Sequence, residues 1–128
     1  MTKPVCDLRA RTRDFALRIG RMFEYLPKAA AAQMIGRQVL RSGTSVGANY
    51  REAYRGRSRA EFIAKCGDSL RELEETGYWL ELLVAGEMVP AGKLASLRQE
   101  CDELLAAFVT IIRRSREPAR KGIADTGG

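Results

Sequence analysis

Apolar side chains recur at every third or fourth position through four long stretches of this chain, and no strand-type alternation competes with them. That period is the 3.6-residue turn of an α-helix with one buried face. Val5, Leu8, Thr12, Phe15, Ile19, Met22 and Leu26 form the first stripe, which Pro27 ends. From Ala30 to Tyr54 a second stripe holds Ile35, Val39, Ser42, Val46, Asn49 and Ala53. Ser58-Arg59-Ala60-Glu61 has the form of a capping box and opens a third helix with Ile63, Cys66, Leu70, Leu73, Gly77, Leu80 and Val84. After the punctuation of Gly86 and Pro90, the fourth carries Leu94, Leu97, Cys101, Leu104, Phe108 and Ile111, and is expected to fray after Arg114. Four helices of about 20–27 residues with short breaks predict an all-α, antiparallel up-down four-helix bundle. Residues 1–114 form that single domain, and residues 115–128, without apolar period, read as a disordered basic tail.

The stretch "RSGTSVGANYREA", Arg41 to Ala53, tests this reading, because glycine and small hydroxyls are unusual inside a helix. The stripe stays in phase across it, whereas a loop would reset the phase. A second stripe beside the first, Gly36, Leu40, Gly43, Gly47, Tyr50 and Tyr54, is half glycine. The small residues are therefore ordered by face, which predicts close approach of another helix, from the same chain or from a neighbouring copy. Ser42 and Asn49 would be half-buried and need polar partners. Asn49 is expected to tie helix 2 to helix 3 and to fix register.

The chain contains no histidine. Ser-His and Cys-His nucleophiles, His-containing zinc sites and Glu-x-x-His di-iron sites are excluded. Cys6, Cys66 and Cys101 form no CxxC pair, and Cys66 and Cys101 fall on apolar stripes. No apolar run approaches the roughly 20 residues of a membrane span. The N-terminus has no signal-peptide pattern, so the expected location is the cytoplasm. Nothing points to an enzyme, a cofactor or a resident metal.

Charge is distributed unevenly. Residues 1–60 hold 13 Lys/Arg against 4 Asp/Glu, while residues 61–103 hold 4 against 10. Arg9, Arg13, Arg21, Arg37, Arg41, Arg51, Arg55, Arg57 and Arg59 read either as a phosphate-binding surface or as a solvated face neutralised by helix 3. The turn Arg55–Arg59 is the preferred contact, with Arg113, Arg114, Arg116, Arg120 and Lys121 as a flexible second one. Glu52, Asp68, Glu72 and Glu74, with Glu75, are candidates for salt bridges between helices 2 and 3, with the arginines on helix 2 and the acids mainly on helix 3, or less simply for a Mg²⁺ or Ca²⁺ site. Tyr50, Tyr54, Tyr78 and Trp79 read as core or interface packing rather than as base-stacking platforms.

Leu40 to Leu83 resembles the small four-helix-bundle proteins encoded in intervening sequences of bacterial 23S ribosomal RNA genes. Arg41, Ser42, Ser45, Asn49 and Glu52 match that family's helix-2 motif, "R-R-S-x-x-S-I-x-x-N-I-x-E-G". Glu61, Phe62, Ser69, Leu70, Glu72, Leu73, Glu74 and Thr76 match its helix-3 motif. Tyr50, Ala53 and Asp68 depart from the pattern. The resemblance implies a homopentamer around a central channel. It also implies kinship with the accessory proteins of diversity-generating retroelements, which work beside a reverse transcriptase and its RNA template. The functions in view are thus a non-catalytic RNA- or DNA-associated oligomer, or a scaffold for a partner protein.

Overall fold

The computed structural model describes residues 7–118. Within them the chain forms α1 (Leu8–Glu24), α2 (Ala30–Tyr54), α3 (Arg59–Ala85) and α4 (Ala91–Arg116). Consecutive helices pack as neighbours, and α4 closes against α1 more loosely than the other pairs pack. Thr12 lies against Gly47 and Phe23 against Gly36, so α1 and α2 run antiparallel. Ion pairs from Arg41 to Glu75 and from Lys65 to Glu52 set the same sense for α2 and α3. The α1 N-terminus, the α2–α3 turn and the α4 C-terminus therefore share one end of the bundle. The α1–α2 and α3–α4 turns share the other.

The core follows the stripes. Phe15, Ile19, Val39, Val46, Leu73, Leu80, Leu104 and Phe108 are all fully buried. Each such side chain contributes about 1.5–3 kcal/mol relative to exposure. Cys66 and Cys101 sit in the same core. Burial pushes their thiols up to about 11 and about 12. Cys6 lies outside the described residues.

Helix ends have identifiable causes. The Asp7 carboxylate accepts from the Ala10 amide and caps α1. Ser58 Oγ accepts from the Glu61 amide, and Glu61 Oε1 accepts from the Arg57 amide at 2.6 Å. This box reaches one residue further back than the form expected from the sequence. At the α3 C-terminus the Met88 amide donates to the Leu83 carbonyl, and the Glu87 amide to that of Val84. That is a Schellman motif, with Glu87 at φ 59° in the left-handed position. Gly86, the glycine that the sequence offers for such a position, keeps a φ of −83°.

α4 continues two residues past the expected Arg114. Arg113, Arg114 and Arg116 lie in its last turn, where the negative end of the helix favours cations. They are helical side chains rather than part of a tail. The remainder of the tail, including Arg120 and Lys121, lies outside the described residues, as does Val5.

Arg41 to Ala53 is helical throughout. Its hydroxyls stay there by bonding back to their own helix: Ser42 Oγ to the Gln38 carbonyl, Thr44 Oγ1 to that of Leu40, and Ser45 Oγ to that of Arg41. The glycines face α1 of the same chain. A Cβ at Gly36 would meet Leu26 and Phe23, one at Gly43 would meet Ile19, and one at Gly47 would meet Thr12, each at 3.0 Å or closer. The stripe is thus spent inside the protomer and lends no support to self-assembly.

The polar tie between α2 and α3 is made by other residues than expected. Ser69 Oγ donates to the Val46 carbonyl at 2.8 Å, and Thr76 Oγ1 lies 2.7 Å from Ser42 Oγ, all buried. Asn49 is half-buried and makes no side-chain hydrogen bond among the described residues. A longer amide on the edge of the stripe reaches neither helix partner. The short hydroxyls on its centre line do.

Candidate nucleic-acid interface

Antiparallel topology gathers arginines that are distant in sequence. Arg9 and Arg13 come from the first turns of α1, Arg51 and Arg55 from the end of α2, and Arg57 and Arg59 from the turn and the start of α3. Arg113, Arg114 and Arg116 come from the end of α4. All nine are exposed. Among the described residues only Arg13 of these has a carboxylate within ion-pair distance, its chain neighbour Asp14 at 3.3 Å. The Arg9 guanidinium stacks over the Tyr54 ring at 4.3 Å.

A groove of about 240 Å³ runs between α1 and α2 from this end. Ala16, Thr44, Gly47 and Ala48 line it, with Arg13 and Arg51 beside them. Its small side chains leave room for the two guanidinium groups to act on anything entering from solvent.

Three candidate arginines belong elsewhere. Arg41 pairs with Glu75 at 2.7 Å and Glu72 at 3.4 Å. Its hydrogen bond to Glu75 holds the guanidinium above its ordinary value. Arg37 is exposed but stands about 27 Å along α2 from Arg55, counting 1.5 Å per residue. Arg21 lies in the last turn of α1, at the opposite end.

The acidic candidates also divide. Glu52 pairs with Lys65, which holds its carboxyl below the usual range. The polarity is the reverse of that expected, with the acid on α2 and the base on α3. Asp68 pairs with Arg71 on its own helix. Glu72 shares Arg41, and Glu74 is exposed without an ion pair among the described residues. The best-shielded pair was not foreseen: Arg11 of α1 donates to Glu100 at 2.9 Å and to Glu103 at 3.3 Å of α4. Long separation in sequence hides such a pair, and only the closing of α4 on α1 makes it. Among the described residues no group of three or more His, Cys, Asp or Glu is placed to hold a metal ion.

The tyrosines split as well. Tyr50 is buried edge-on against Phe108. Tyr54 and Tyr78 are exposed, against the expectation of packing. Trp79 packs half-buried against the core.

No helix among the described residues is long and apolar enough to cross a membrane. The pattern of the family described as "23S rRNA-intervening sequence protein" matches residues 6–109. A crystal structure of a protein with unknown function from the S23 ribosomal protein family of Bacteroides thetaiotaomicron is 37% identical, over 82% of this chain and 94% of that one, with a TM-score of 0.77. No curated protein shows significant similarity.

Proposed function

The chain belongs to the 23S rRNA-intervening sequence protein family, and we propose that this non-catalytic helical bundle binds RNA or DNA through the arginine-rich end. One observation supports the reading: arginines from all four helices lie at one end of the bundle, and eight of the nine have no carboxylate within ion-pair distance among the described residues. Guanidinium groups left unpaired by their own fold are available to phosphates. Contacts of this kind read the backbone and carry little sequence preference.

The test is fluorescence anisotropy with a labelled RNA and the DNA of the same sequence, titrated at about 50 mM salt and above. Each phosphate neutralised adds about 0.9 to the slope of log K against log salt on a duplex. Changing Arg55, Arg57 and Arg59 to Glu is expected to abolish binding, while Lys28→Glu at the opposite end leaves it intact. Absence of binding by the unaltered protein at about 50 mM salt overturns the proposal.

The second reading is a protein scaffold, such as an accessory subunit beside a reverse transcriptase. It is favoured by the exposed apolar side chains Leu17, Met34, Tyr78 and Val109. These are also what supports self-association, for which the family resemblance suggests five copies. Light scattering before and after nuclease treatment measures assembly and co-purifying nucleic acid together. Stoichiometric recovery of one partner protein, unaffected by nuclease, favours the scaffold.

A further inference from the structure

We propose that the cavity between the α1–α2 and α3–α4 turns binds a free medium-chain fatty acid, with the alkyl chain inside and the carboxylate at the mouth. It lies at the end of the bundle opposite the arginines and does not depend on the reading given for them. Its volume is about 540 Å³, within the range of roughly 300–1,000 Å³ typical of small-molecule sites. Leu26 and Leu94 are buried, and Met22, Met88 and Val89 line the cavity half-buried. Two unbranched, polarizable methionines adapt their shape to a flexible alkyl chain.

Lys93 is the single charged residue lining the cavity. Among the described residues its ammonium has no carboxylate partner, and neither Glu24 nor Glu87, which stand at the same end, lines the cavity. α4 also begins here, with no side-chain cap and no acidic residue in its first turn. The positive end of that helix and the Lys93 charge therefore add without an offsetting anion. An apolar interior under a net positive mouth selects one head-group sign. A carboxylate on an alkyl chain satisfies both, whereas a neutral or cationic head satisfies only the interior.

The experiment uses the full chain labelled with ¹³C at the methionine methyls, titrated with decanoate below its micelle-forming concentration. Decanol and decyltrimethylammonium are the comparison ligands. Saturable shifts at Met22 and Met88 are expected, with Met34, which is 62% exposed and outside the cavity, unmoved. Decanoate should bind more tightly than either comparison ligand. Lys93→Gln, at an exposed position that leaves the fold intact, should weaken decanoate about fivefold and leave decanol unchanged. No saturable shift, parallel movement of Met34, or equal binding of decanoate by Lys93→Gln each overturns the proposal.

Discussion

Replacing Gly47 by alanine sets two opposing effects against each other at one atom. A helical glycine costs about 1 kcal/mol relative to alanine, so backbone propensity alone predicts a gain of that size. The added methyl, however, would lie 3.0 Å from Thr12 Oγ1 and 3.2 Å from Thr12 Cβ, with the Thr12 backbone carbon at 3.5 Å. Thr12 cannot turn aside cheaply. It is β-branched and fully buried, and its hydroxyl donates to the Leu8 carbonyl at 2.6 Å. α1 must therefore shift, and overpacking of this kind costs about 1–3 kcal/mol. The net expectation runs from no change to a loss of about 2 kcal/mol. Gly20 supplies the control, since a Cβ there meets nothing within 4 Å. Gly20→Ala should show the whole propensity gain of about 1 kcal/mol. Urea denaturation of the three proteins at equal concentration should separate the variants by about 1–3 kcal/mol, and their thermal midpoints by roughly 3–6 °C per kcal/mol. If Gly47→Ala stabilises as much as Gly20→Ala, α1 is not seated on the glycine stripe and the account of α2 fails.

Glu87→Gly should stabilise by about 1 kcal/mol, because glycine takes the left-handed position of the Schellman motif without a Cβ penalty; urea denaturation reads it. Thr76→Val and Ser42→Ala should each destabilise, and their double-mutant cycle should show coupling of about 0.5–1.5 kcal/mol; additivity would mean the two hydroxyls do not share a proton. In a Cys6→Ser background, thiol-specific reagents at pH 8 should label Cys66 and Cys101 only on unfolding. Their folded thiols titrate near 11 and 12 against an ordinary 9.0, so stability present below pH 9 is lost as pH rises from about 9 towards 12. Arg11→Gln should cost more than Arg41→Gln in denaturant titrations, since the Arg11–Glu100 pair is largely shielded while the Arg41 pairs are half-exposed and worth about 0–1 kcal/mol.

Periodicity made most of the fold legible. The phase of the stripe across Arg41–Ala53 identified α2 as one helix, since side chains spaced at 3.6 residues need no knowledge of their partners to share a face. Local chemistry also marked the start of α3 at Ser58. The candidate interface was legible only as a list. Charge counting cannot separate Arg41, consumed by Glu72 and Glu75, from Arg51 and Arg55, which have no carboxylate within ion-pair distance among the described residues.

The amino-acid sequence alone determined which segments are helical, which face of each is apolar and how many positive charges the chain carries, because these depend on neighbours within one or two turns. Only the tertiary structure decided that the glycines receive α1, that hydroxyls rather than Asn49 link α2 to α3, and that the last turn of α4, with Arg113, Arg114 and Arg116, lies at the same end of the bundle as the α2–α3 turn. Those outcomes depend on the relative height of antiparallel helices, which is set by packing across the core and leaves no local trace in the chain.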